Sequence, residues 1–291
     1  MFKYIKDSIA RKKARRTTQK YSHTVERFQL EKEGTIEFAN WNNPLGIHKT
    51  ITQQEIDFYR TFARPGSFCI DIGANIGDTT VPMGLAVGST GLTLAFEPNP
   101  MVFDVLQANI LLNKGKVNIV AVPYAVTEEN GEFYYSSSEA SFGNGGVSVN
   151  SEEAQKHGKF QLKNKVTGVN LLSYLNEHYQ DELSRLTFIK IDVEGFDKEV
   201  IKSIGPLIQQ YRPVLIAEVF DHSTVEDRLE LFSVVADHNY TLYYFYDFQD
   251  HTEIWKLQKD EMITRKNFNF YAVPTEAEDN YVFPFATGRS R

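Results

Sequence analysis

The sequence predicts an α/β fold built on a doubly wound, mainly parallel sheet. Three observations point there: short, near-continuous apolar runs rich in β-branched residues, helical patterns between consecutive runs, and a glycine-containing turn directly after the first run. The 291 residues allow one large domain or two small ones, either with a substantial core. At 42% hydrophobic and 24% charged, with 18 Gly and 10 Pro, the composition excludes collagen-like, disordered and disulfide-stapled classes.

Residues 1–20 hold eight Lys/Arg against a single acid, Asp7, a charge of +7 that leaves −14 for the rest of a chain whose formal total is −7. Phe2, Ile5 and Ile9 fall at i, i+3 and i+7, so a short helix there carries an apolar stripe with a basic flank, as interfacial helices do. Peripheral contact of residues 1–20 with an anionic membrane is one expectation, and a solvated basic tail is the plainer one. Residues 1–50 read as an N-terminal extension and 51–291 as the main domain. That domain opens with a helix at Thr52–Phe62, capped by Thr52 with Glu55 three residues on.

Strands are predicted at Ser67–Ile72, Thr93–Glu97, Val117–Val122, Leu186–Asp192 and Pro213–Phe220, all apolar enough to be covered on both faces. Helices are predicted at about Ile76–Val87, from Pro100 behind the N-cap Asn99 to Asn113, and at Leu171–Tyr179, Asp197–Ile204 and Thr224–His238. The final runs, Thr241–Tyr246 and Phe268–Val273, leave no room for an ordinary helix and a parallel return, so an antiparallel hairpin closes the sheet. One stretch breaks the alternation. Glu132–Ser137 reads as a strand, a Ser/Gly-rich loop follows, and a second strand falls near Phe160–Val166, which makes about 131–166 an insertion that could close over a ligand.

A single cysteine, Cys69, cannot form an internal disulfide, so nothing calls for an oxidising compartment. No apolar run approaches the roughly 18 to 20 residues of a membrane span, and no secretory apolar segment follows the N-terminus. The expectation is a cytoplasmic protein, membrane-peripheral if its basic segment binds lipid. Nucleic acid is not an expected partner, because nothing beyond residue 20 supplies a second basic face.

The most informative segment is Phe68-Cys-Ile-Asp-Ile-Gly-Ala-Asn-Ile-Gly77, a buried strand running into a tight turn and then a helix. In open α/β sheets, ligands sit outside the carboxyl ends of the strands at such a turn. A dinucleotide needs G-x-G-x-x-G so that backbone can approach its pyrophosphate. Here the second glycine position is Asn75 and the third is Asp78. The pattern present, from Asp71 through Gly73 to Gly77, suits a nucleoside ligand that lacks phosphates and carries positive charge, with Asp71 for an ammonium and Gly73 for close backbone approach. Glu97 ends the second strand and can accept hydrogen bonds from both ribose hydroxyls.

Asp71-Ile-Gly-Ala-Asn-Ile-Gly77, Phe96-Glu-Pro-Asn99, Asn109-Ile-Leu-Leu-Asn113, Lys190-Ile-Asp-Val-Glu-Gly195 and Arg212-Pro-Val-Leu-Ile-Ala-Glu218 together resemble the FkbM family of S-adenosylmethionine-dependent methyltransferases. The resemblance covers about Gly66–Phe220. It implies the class I methyltransferase (Rossmann-like) fold, seven strands with an antiparallel last strand, and methyl transfer to a hydroxyl. It also implies an S-adenosylmethionine site formed by Asp71, Gly73, Ala74, Asn75, Gly77 and Glu97.

A hydroxyl acceptor has to lose its proton, to a general base or with the help of a divalent cation. By period two, Lys190 and Asp192 point to one face of an otherwise apolar strand, which would hardly carry two charges unless they are paired or at a site. Asp192 is the leading candidate for the reactive end, with Glu194 next; an ion pair between Lys190 and Asp192 is the plainer reading. Glu218 ends the fifth strand, and His222, neutral near pH 7, could accept a proton. Asp192, Glu218 and His222 could converge on a hard cation, but no spacing forms a metal signature, so a divalent cation is left open. The aromatic run Tyr243–Tyr246 reads first as sheet packing. Tyr134, Tyr135 and Phe142 are the candidates for contact with the acceptor, a small molecule or carbohydrate. The reading is an O-methyltransferase for a glycan, glycolipid precursor or small metabolite. Its rivals are an NAD-dependent dehydrogenase and a catalytically inactive methyltransferase-fold binding module.

Overall fold

The computed structural model describes residues 2–154, 158–249 and 253–281. Met1, residues 155–157 of the insertion, His251 and residues 282–291 lie outside them. In chain order, α1 (Phe2–Ala14) leads into a hairpin, β1 (His23–Leu30) and β2 (Gly34–Trp41), and then α2 (Gln53–Phe62). The first half of the domain follows as β3 (Phe68–Ile72), α3 (Thr80–Val87), β4 (Leu92–Phe96), α4 (Pro100–Leu112) and β5 (Ile119–Val122). Next come β6 (Ala125–Val126), β7 (Gly131–Ser137), β8 (Gly146–Ser148), α5 (Ser151–Ala154), β9 (Phe160–Gln161) and β10 (Val166–Val169). The second half runs through α6 (Leu171–His178), β11 (Leu186–Ile191), α7 (Asp197–Ser203), α8 (Gly205–Tyr211), β12 (Val214–Val219) and α9 (Val225–Ala236). It closes with β13 (Tyr240–Phe245), β14 (Trp255–Lys256) and β15 (Phe268–Pro274).

The main sheet has the order β14-β13-β15-β12-β11-β3-β4-β5. The five strands expected to be covered on both faces pair in parallel, and β15 runs antiparallel to both of its neighbours. The seven expected strands are all present, and the two-residue β14 extends the edge beyond them. Every residue of β3 is buried. Cys69 packs toward α2, α3 and α4, while Phe68, Ile70 and Ile72 pack toward α6, α7, α8 and α9. Tyr244 stacks on Trp255 at 3.8 Å between ring centroids and Tyr243 on Tyr271 at 5.0 Å, so the aromatic run serves sheet packing.

Several ends follow local chemistry. Asn99 accepts from Met101 N with Pro100 behind it, and Thr224 forms a full capping box with Asp227. Thr52 caps α2, but the Glu55 carboxyl turns inward toward Gln249 Nε2 at 3.3 Å. The expected helix start at Ile76 moves to Thr80, because Asn75 (φ 48°) and Gly77 (φ 92°) hold left-handed backbone that no α-helix accommodates.

Two regions differ from expectation. The β1–β2 hairpin had no sequence counterpart, yet Ile36, Phe38 and Ala39 join the core. Asn109 of α4 and the helix's C-cap Asn113 hold it there: Asn109 Nδ2 donates to Ala39 O (3.1 Å) and Ile76 O (2.8 Å), and Asn113 Nδ2 donates to Glu37 O (2.8 Å). In the insertion, β7 pairs with β8, β9 and β10, and β10 pairs in parallel with β6. The second long strand therefore falls at Val166–Val169 rather than near Phe160–Val166, and the segment forms a small sheet of its own. Among the described residues, no helix is long and apolar enough to cross a membrane.

Candidate active site

A cavity of about 920 Å³ opens at the carboxyl ends of β3, β4, β11 and β12. Gly73, Asn75, Glu97, Asp192, Glu194 and Glu218 line it, together with Lys190. Trp41, Asn43 and Lys49 from the chain before α2, and Tyr135, Gly143 and Val147 from the insertion, complete the walls.

The glycine turn is wedged between two strands. Gly73 N and Ala74 N both donate to Phe96 O at 3.0 Å, and Asp192 N donates to Ile72 O at 3.0 Å. Gly73 has φ 81°, and a Cβ there would sit 1.9 Å from Asp192 O, so no side chain fits. Ala74 and Gly77 build the turn without lining the cavity. Glu97, 5% exposed, accepts from Asn75 N (2.8 Å) and Asn99 N (2.7 Å). Burial pushes its carboxyl up to about 7 against those two bonds. Two side chains tie this turn to the insertion: Asn75 Nδ2 donates to Gly143 O (3.2 Å) and Asn99 Nδ2 to Phe142 O (2.7 Å).

Asp71 meets an ammonium, but from within the chain. The parallel register sets Asp71 opposite Lys190, so both side chains share one face of the sheet. Lys190 Nζ lies 3.1 Å from Asp71 Oδ1, 3.4 Å from Gly73 O and 3.6 Å from Asp192 Oδ2. Thr79 Oγ1 (3.0 Å) and Thr80 Oγ1 (2.6 Å) donate to Asp71 Oδ2. Asp71 is fully buried and does not line the cavity, which corrects the expected contact with a ligand ammonium. Burial works against the Lys190 charge, but Asp71 and Asp192 outweigh it and hold the ammonium above the ordinary lysine range.

At the neighbouring strand ends the charges are alike. Asn267 Nδ2 donates to Glu218 Oε1 at 2.9 Å. Burial and then the Asp192 charge push Glu218 up to about 7. Burial, with Asp192 and Glu218 behind it, pushes Glu194 up to about 8. Glu194 also adopts φ 55°, strained backbone for a side-chain-bearing residue. Behind them, the buried Asp197 accepts from Gly195 N (3.3 Å) and Glu218 N (3.4 Å), which fixes both strand ends. His222 is exposed, its ring against Phe220, and does not line the cavity. Among the described residues, no group of three or more His, Cys, Asp or Glu side chains could hold a metal ion.

Of the three aromatics expected to contact an acceptor, Tyr135 lines the cavity, while Tyr134 lies under Lys165 Nζ and Phe142 is buried behind the wall. Lys49, which the sequence reading passed over, pairs with Asp78 in the wall at 2.5 Å. With Lys49 and Lys190 both paired, the open charges of the cavity are carboxylates. A cationic ligand fits this set, and a pyrophosphate meets like charge.

A family model described as the methyltransferase FkbM domain matches residues 71–260. Methyltransferase sdnD of Sordaria araneosa is 26% identical over 182 residues, 56% of this chain and 70% of that protein. Methyltransferase FkbM from Methylobacillus flagellatus KT aligns with a TM-score of 0.47 and 13% identity over 75% of this chain, which spans about half of that one, 50%. An S-adenosylmethionine-dependent O-methyltransferase from Thermotoga maritima aligns at 0.41 and 10% identity, over 85% of this chain and 77% of that one. The family match sets aside the dehydrogenase reading. Because that match runs from the glycine turn to beyond Glu218, over more than half of its length, the chain belongs to the FkbM methyltransferase family and is an S-adenosylmethionine-dependent methyltransferase.

Proposed function

We propose that this methyltransferase methylates a hydroxyl oxygen of a glycan, glycolipid precursor or small metabolite. The observation that carries the reading is the group Asp192, Glu194 and Glu218 on one cavity wall, with two of its carboxyls titrating near neutrality. A base poised near the working pH is what deprotonation of a hydroxyl needs. An amine or thiol acceptor would need it far less.

The residues suit the cofactor. Glu97 is held by two backbone N–H groups and retains acceptor capacity for a ribose, and the backbone of Gly73 and Asn75 offers close approach beside it. When bound, S-adenosylmethionine supplies a methyl group on a sulfonium, with a neutral thioether as leaving group. The chain has to hold the acceptor oxygen in line, exclude water and take the proton. Asp192 and Glu218 take that proton as a pair, in which burial and the Asp192 charge raise the Glu218 carboxyl to about 7. Lys190 fixes Asp192 from below and limits the repulsion among the three acids.

The test is a methyl-transfer assay with labelled cofactor against fractionated glycans and small metabolites, followed by mass spectrometry of the product. A labelled methyl ether is expected; label on nitrogen or carbon would overturn the reading. Calorimetry places the cofactor independently. Glu97→Ala is expected to weaken its binding by roughly ten- to a hundredfold, the loss of hydrogen bonds to a charged acceptor, and unchanged binding would remove Glu97 from the site.

A further inference from the structure

The N-terminal helix is placed unlike any other element. Its last turn is seated on the body: Ala14 is fully buried, and Arg15 O accepts from Ala140 N at 3.4 Å, in the insertion whose neighbouring residues wall the cavity. The preceding turns stand clear. Tyr4, Ile5 and Ile9 are 74%, 49% and 62% exposed. At the helical period, Ile5 and Ile9 form a stripe opposite Ala10 and Ala14, with Lys12 on one side and Lys6 and Lys13 on the other. Lys6, Lys12, Lys13, Arg15 and Arg16 are exposed, and none pairs with an acid among the described residues. Lys20 is the exception, 2.7 Å from Asp104.

We infer that α1 is a reversible docking helix for an anionic lipid bilayer. Its outward face alternates isoleucine with lysine, so apolar side chains enter the acyl boundary while the ammonium groups remain at the headgroups. Each base near such a surface contributes about fivefold to partitioning. The rest of the chain, at −14, is repelled by the same surface, so one face alone docks. Two isoleucines and a tyrosine fall far short of the roughly 800 Å² per partner of a stable dimer, and two +7 segments repel each other. A nucleic acid would satisfy the charges but leave the isoleucines in water. The inference does not rest on the proposed chemistry, since lipid binding is read without any methyl transfer.

The experiment is co-sedimentation of the full chain with vesicles of phosphatidylcholine alone or with about 30% phosphatidylserine, at about 0.1 M and 0.5 M salt. Wild type is expected to sediment with the anionic vesicles, to be released by salt, and to leave neutral vesicles in the absence of serine lipid. Ile5→Asp/Ile9→Asp and Lys12→Glu/Lys13→Glu are each expected to lower partitioning at least tenfold. Both should keep the wild-type melting temperature and cofactor affinity, because neither pair lines the cavity. Wild type remaining in the supernatant, or partitioning that neither variant changes, overturns the assignment. So does a concentration-dependent dimer, or retention of RNA, that is lost in these variants while vesicle binding persists.

Discussion

Two charged groups sit side by side at the ends of adjacent strands and are built on opposite principles. Asp71 and Lys190 are opposite in sign, almost wholly buried and surrounded by donors and acceptors. Asp192, Glu194 and Glu218 are alike in sign and face a cavity. The first arrangement is internally paired, and of its two residues Lys190 alone borders the cavity. The second is held together against its own repulsion, and a cation or a proton relieves it. Charge at a strand end therefore does not by itself mark chemistry; what the neighbours leave unsatisfied does.

The contrast is broken most severely from the buried side. Lys190→Met leaves Asp71 as an uncompensated buried carboxylate and should cost about 3–5 kcal/mol in urea unfolding. Asp71→Leu/Lys190→Met together should recover most of that loss, and a double variant as unstable as the single one would count against the pair. On the cavity side, Asp192→Asn should leave stability nearly unchanged and lower turnover by about 10²–10⁴, with cofactor affinity within a few-fold of wild type. Equal losses in affinity and turnover would make Asp192 a binding group instead.

A smaller effect is read in pH. Glu218 and Glu194 are raised from 4.5 to about 7 and about 8, so the folded chain binds more protons than the unfolded one between those values. Their stabilising contribution is complete below about 4.5 and is lost as pH rises through 7 and 8. Melting temperature without cofactor should fall across that window. Glu194→Gln should flatten the fall, and a parallel slope in that variant would refute the assignment. The smallest effect is expected of His222→Ala, whose exposed ring lies outside the cavity. Its turnover should stay within about twofold, and a large loss would draw the site outward.

The sheet was legible because strands covered on both faces announce themselves: β3, β4, β11 and β12 are continuous apolar runs ending in the residues that form the site. The partner of Asp71 was not legible. Lys190 lies 119 positions away, and only strand order and register bring them together. The hairpin of β1 and β2 escaped for a similar reason. Its buried residues are anchored by Asn109 and Asn113, side chains on a distant helix, and nothing local signals that attachment. Lys49 was missed because its paired acid, Asp78, lies beyond a whole helix and strand.

Strand order also carries a consequence for biosynthesis. Among the described residues Phe268–Pro274 is the last long strand in chain order, yet it lies inside the sheet, between β12 and β13. Until that stretch leaves the ribosome, β12 keeps an open edge and β13 has no route into the sheet. From the end of β12 at Val219 until Pro274 is made, the nascent chain thus carries an apolar, unpaired strand edge, the interval in which a chaperone or a wrong partner can claim it.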